Sequence, residues 1–146
     1  MIANLFAPGA IEVATSSPSF DAAIADSAGL LVRAGHANSD YVSEVLENLS
    51  KFGPYFVVAP SIAIAHAKPS AAVLSAGLAL LKLERGVESG SQQNDPVRLV
   101  FSLCTPNADQ HIDLLSEFAR VMSVEGVVNS LLNASAESVI REILSI

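Results

Sequence analysis

An α/β fold, laid out as a three-layer α/β/α sandwich around a central mixed sheet, is predicted by three features of this sequence. Apolar runs of strand length occur at 55–58, 73–83 and 97–104. Around them lie stretches whose apolar residues recur every three or four positions, which is the helical period. The two kinds of segment interleave along the chain, an order that calls for a sheet covered by helices. Strand order is not legible in a single sequence.

Residues 1–17 are read as a loose N-terminal segment and residues 18–146 as one domain, a length that suits a single hydrophobic core. Ser17, Pro18 and Ser19 carry helix-start chemistry and precede Ala23, Ile24, Leu30 and Leu31, which places a helix from about 20 to 34, ending at Gly35. A second start, Asn38-Ser39-Asp40, leads into Tyr41, Val42, Val45, Leu46 and Leu49 on one helical face, and Gly53-Pro54 stops it. Tyr55 to Val58 is a compact aromatic and β-branched run between prolines and reads as a short buried strand. Ser61 to Ser70 reads as an ordered loop or strand edge, with Pro69 blocking a helix. Val73 to Leu83 reads as a strand and the Ser, Gln, Asn and Gly-rich stretch 86–96 as a loop. Val97 to Cys104 is the clearest strand, with Val97, Leu99, Phe101 and Leu103 on one face. Asn107 with Gln110 resembles a capping box and opens a helix from about 108 to 123, whose expected apolar stripe is Ile112, Leu115, Phe118, Ala119 and Met122. Short helices near 124–132 and 136–145 complete the chain.

Composition removes several functional classes. Hydrophobic residues make up 51% of the chain and charged residues 16%, the balance of a chain that folds by itself. The net charge of −7 and the absence of a basic cluster argue against a nucleic-acid partner. The mean hydropathy of +0.45 raises the question of membrane insertion. Yet the longest uncharged stretch, Phe52 to Ala67, is too short for a span and is interrupted by Pro54 and Pro60. The first residues lack the cationic start of a secretory signal. A single cysteine, Cys104, has no partner for an internal disulfide. The expected setting is the cytoplasm.

No nucleotide-binding, dinucleotide-binding, zinc-protease or nucleophile-elbow motif occurs, and no cofactor or metal is expected. The chemistry therefore centres on histidine. His66 lies in Ile64-Ala65-His66-Ala67-Lys68-Pro69, with small neighbours that leave it open and a cation two positions on. A neutral imidazole is a usable nucleophile near pH 7, and Lys68 can hold an anionic group as a point charge. A lone histidine in an apolar stretch also has a structural reading, in which it is simply hydrogen-bonded. His111, in the first turn of the helix that opens at Asn107, is either a buried capping residue or a donor beside an anion at the helix N-terminus. His36, between Gly35 and Ala37, reads as a solvated loop residue, and Cys104 as a small buried hydrophobe.

The segment GPYFVVAPSIAIAHAKP, residues 53 to 69, resembles the active-site segment of phosphotransferase-system enzyme IIA domains of the mannitol and fructose class. Its GPY, its AP and its histidine followed by a basic residue and proline are most similar to the ascorbate-type branch. A second block, NDPVRLVFSLCTPNADQH at 94 to 111, resembles the family's NDPV strand, short loop and second histidine. The resemblance covers roughly residues 18 to 145. It implies an α/β sandwich that accepts phosphate from the phosphocarrier HPr on His66, with His111 assisting, and passes it to an enzyme IIB. A membrane enzyme IIC stands indirectly behind these partners. The chain departs from many relatives in having Ala65 where they have proline, Ala67 where they have glycine, and no arginine between residues 39 and 53. Two further readings stand beside the carrier: a regulatory domain of the nitrogen-related type, and a non-catalytic binding module in which His66 is structural.

Overall fold

Three helices begin where a short polar side chain takes up a backbone N–H that has no partner within the helix. In the computed structural model, which describes all 146 residues, Ser19 accepts from the N–H of Ala22 at 3.0 Å and opens α1, Phe20–Arg33. Asn38 accepts from Asp40 and opens α2, Ser39–Phe52. Asn107 accepts from Gln110 at 2.9 Å and opens α3, Ala108–Met122. The Gln110 side chain returns to the Asn107 amide group at 3.0 Å, so the reciprocal bond runs between side chains. Two shorter helices follow, α4 at Val127–Asn133 and α5 at Glu137–Ile143.

Five strands form one mixed sheet: β1 Ile11–Ala14, β2 Val57–Ala59, β3 Ile62–Ala65, β4 Gly77–Val87 and β5 Val97–Cys104, in the order β1-β4-β5-β3-β2. β4 and β5 pair antiparallel, as do β2 and β3, while β1 lies parallel to β4 and β3 parallel to β5. Side chains alternate across a strand, and β5 shows which helix covers which face. Ser102 meets Ser27 of α1, whose hydroxyl donates to the Val100 carbonyl at 2.7 Å. Phe101, one step along, packs edge-on against Phe118 of α3 with ring centroids 4.8 Å apart. α1 and α3 therefore cover opposite faces, which makes the sandwich three-layered as expected. α2 packs beside α1, and α4 and α5 pack together near β5 and β1.

Several expectations are corrected. Residues 1–17 are not loose: Ile2–Leu5 forms a 3₁₀ turn, Ile2, Phe6, Ala10 and Ile11 are buried, and β1 is an edge strand. Its four residues are too few to show an alternation, so its apolar content reads as irregular. The strand placed at 73–83 begins at Gly77 and runs on to Val87. Val73 instead bridges Ala37, and the N–H groups of Leu74 and Ser75 donate to the His36 carbonyl, which holds that stretch against the α1–α2 corner. On α3 the core face is Leu114, Phe118 and Val121, while Ile112 and Ala119 are exposed. His36, expected in solvent, is buried with its ring lying over Gly77. A Cβ at Gly77 would stand 2.2 Å from that ring, so only glycine fits there.

Candidate functional site

The site lies where two parallel strands end. β3 and β5 run the same way, with Ala65 opposite Ser102, so their carboxyl ends emerge side by side at one edge of the sheet. His66 is the first residue beyond β3. β5 continues through Thr105 to the Asn107 cap, and the first turn of α3 carries His111 back over the same edge. The two histidine rings meet with centroids 5.4 Å apart. Topology thus brings together two residues that are far apart in sequence.

His66 is half-buried, and its ring is packed by Phe56 at 5.4 Å and Tyr55 at 5.9 Å between centroids. Its Nδ1 lies 3.1 Å from the carbonyl oxygen of Ile64. A carbonyl only accepts, so Nδ1 carries the proton and the neutral ring keeps its lone pair on Nε2. Burial pushes the pKa of His66 below the ordinary histidine value, an effect that the Ile64 bond opposes and the neighbouring His111 reinforces. Near neutral pH the ring is therefore an uncharged imidazole with a free lone pair on Nε2. His111 is also pushed down by burial, and its Nδ1 lies 3.2 Å from the Thr105 hydroxyl. When that hydroxyl donates, Nε2–H of His111 is left free to donate to a bound anion.

Lys68 is exposed on the loop after His66 and takes part in none of the four ion pairs. It makes no hydrogen bond to either ring. Three neighbours of His66 were not singled out from sequence. Tyr55 and Phe56 read only as strand residues, yet they wall the imidazole. Asn48 sends its amide nitrogen to within 3.5 Å of the His66 carbonyl oxygen. The signal for Asn48 was available, because it stands seven residues after Tyr41 and continues the inward face of α2.

Other candidates lie elsewhere. Cys104 is fully buried, burial pushes its thiol up to about 12, and it donates to the Ser75 carbonyl at 3.4 Å. That is an inert core cysteine. No group of three His, Cys, Asp or Glu side chains converges on a common point. An apolar cleft of about 550 Å³ opens between β3 and α3, lined by Val58, Ile64, Leu115, Phe118 and Met122, with Ser123 as its one polar side chain. A sugar's hydroxyls would find almost no partners there.

Comparison with known proteins bears on the family and the fold. The chain matches the family model described as phosphoenolpyruvate-dependent sugar phosphotransferase system, EIIA 2, over residues 4–146. It is 28% identical over 144 residues to the mannitol-specific cryptic phosphotransferase enzyme IIA component of Escherichia coli strain K12, covering 99% of this chain and 97% of the relative. It is 34% identical over 82 residues to the ascorbate-specific EIIA component of Salmonella typhimurium, covering 56% of this chain and 53% of that one. The solution structure of the mannitol-specific cryptic enzyme IIA from Escherichia coli superposes with a TM-score of 0.86 at 28% identity, covering 99% of both chains. A complex of the mannitol enzyme IIA with phosphorylated enzyme IIB, also from Escherichia coli, shares the fold with a TM-score of 0.80 at 23% identity, covering 94% of each chain. No helix of this chain is long and apolar enough to cross a membrane. A family match that starts before β1 and runs to the last residue, on a fold shared from end to end, places this chain in the EIIA 2 family of the phosphoenolpyruvate-dependent sugar phosphotransferase system.

Proposed function

We propose that this enzyme IIA component carries its phosphoryl group on Nε2 of His66. The observation that supports this most is the bond from His66 Nδ1 to the Ile64 carbonyl beside His111, which leaves one free ring nitrogen next to a second imidazole. Nε2 attacks the phosphorus of a phosphohistidine on HPr. The donor's N–P bond breaks as the new N–P bond forms, and the donor imidazole leaves. In the second half-reaction a cysteine thiolate of an enzyme IIB takes the phosphoryl group, and His66 regains its lone pair. Such transfers depend on in-line positioning and charge stabilisation, which two imidazoles and a few donors can supply without a nucleotide or a metal. His111 donates to a phosphoryl oxygen, and Lys68 adds a solvated positive charge nearby. The apolar cleft suits protein side chains better than a sugar, in keeping with transport specificity residing in the membrane enzyme IIC that this carrier serves from the cytoplasm.

The test is to incubate the protein with phosphorylated HPr and locate any acid-labile phosphate by mass spectrometry. One phosphate on His66, absent from a folded His66→Ala variant, is the expected result. Wild-type labelling of His66→Ala would remove the assignment.

A further inference from the structure

We infer that Tyr41 is a positioning residue for transfer at His66, because its hydroxyl joins the two chain segments that carry His66 and His111. The inference rests on His66 being the phosphoryl acceptor. Tyr41 sits in the first turn of α2, and its side chain is completely buried. Its hydroxyl oxygen accepts from the N–H of Ala67, the residue after His66, at 2.9 Å. The same hydroxyl lies 2.7 Å from the Leu103 carbonyl oxygen and 3.1 Å from that of Ala67, and its proton goes to the shorter contact.

The location of this bridge gives it meaning. Backbone pairing between β3 and β5 ends at Ala65 and Ser102. Immediately beyond that rung the chains diverge, one into the loop of His66 and the other through Thr105 towards His111. Tyr41 spans them there, supplying through a side chain the connection that the ladder no longer makes. Ala67 is buried, so without the hydroxyl its N–H would have no partner and the loop would shift to find one. In-line transfer tolerates little of this, since a misplacement of about 1 Å can cost roughly a hundredfold in rate.

Tyr41→Phe keeps the ring and removes only the bridge. In the whole chain, folded by its melting curve, the maximal rate of phosphate acceptance from phosphorylated HPr should fall about ten- to a hundredfold. The KM for that donor should change by less than about twofold, because the docking surface is untouched. Nitrogen-15 NMR should show the His66 titration moving up towards the ordinary histidine value as the ring gains solvent, while the His36 titration stays in place. A tyrosine that only stabilises the core would lower the melting temperature and leave rate per folded molecule and His66 titration unchanged, and that outcome overturns the inference. Wild-type protein runs beside the variant. If it takes no phosphate on His66, the acceptor reading fails and this inference with it; if it is labelled while Tyr41→Phe matches it, only the inference fails. Should Tyr41→Phe not fold, hydrogen exchange in the unsubstituted protein decides. The Ala67 amide should be protected like the amides of β5, and exchange at the rate of an open loop would overturn the bridge.

Discussion

His111 stands 5.4 Å from His66 between ring centroids, yet it belongs to a different element and has its own partner in Thr105. Removing it should therefore leave His66 able to accept phosphate while stripping a donor from the moving group. Loss of one preorganised donor costs about 2.7 to 4 kcal/mol of barrier, roughly a hundred- to a thousandfold. Rapid-quench measurement on His111→Ala should show that loss in onward transfer to an enzyme IIB cysteine, and unchanged transfer in folded protein would take His111 out of the site. Lys68 supplies the contrast. It is exposed and unpaired, and an exposed charge contributes about 1 kcal/mol or less. Lys68→Ala should slow transfer no more than about fivefold in the same assay, and complete loss would assign Lys68 a larger role. The three histidines illustrate how far single residues can be read from sequence. His66 stood out as a candidate by its small neighbours and its basic follower and His111 by the cap before it, each with a structural reading beside the functional one, and the fold brings the two rings to 5.4 Å. His36 did not stand out, because nothing local to Gly35-His36-Ala37 reveals that Gly77, distant in sequence, leaves room for an imidazole.

At the scale of elements, α3 does two things at once: its inward face fills the core through Leu114, Phe118 and Val121, and its first turn aims His111. Asn107→Ala should cost about 1 kcal/mol of stability, as cap losses do. It should also slow onward transfer by loosening that turn. Urea unfolding and rapid-quench kinetics on the same variant check both effects, and a stability loss with no kinetic change would separate the cap from the site. Helix starts were the most legible parts of the sequence, because Ser19, Asn38 and Asn107 act locally. Strands were legible where the apolar run was long, as in β5, and poorly legible at β1 and the start of β4. There the decision lies with distant partners: β4 edge bonding recruits Ile11–Ala14, and the His36 carbonyl captures Leu74 and Ser75 before the strand can start. The stripe on α3 was displaced for a related reason. Leu115 and Met122 line a cleft that stays open to solvent, so the residues that look most regular in sequence are not the deepest in the fold.

For the molecule as a whole, all three histidines are pushed below their ordinary pKa by burial. Between those lowered values and the unfolded value near about 6.5, the unfolded chain binds more protons than the folded one. Stability is therefore complete above that window and is lost as pH falls through it. Melting curves should show a drop in Tm from pH 7.5 to pH 5, and His36→Asn should flatten the dependence while lowering the plateau. A Tm that rises on acidification across this range would contradict the burial of these rings. The parallel placement of β1 carries one more consequence, in the order of events by which the chain reaches this state. Ile11 pairs with Leu80, far along the chain, whereas Val87 pairs with Val97 across only the loop 88–96. Long loop closures are entropically costly before they are rewarded. The β4–β5 hairpin should thus form early, and β1, although it precedes β4 in the chain, should be among the last to dock, held in waiting until β4 exists to receive it. Pulsed hydrogen-exchange labelling during refolding should find amides of Leu80 to Leu83 that face β5 protected before those of β1, and simultaneous protection would mean that both edges of β4 close in one step.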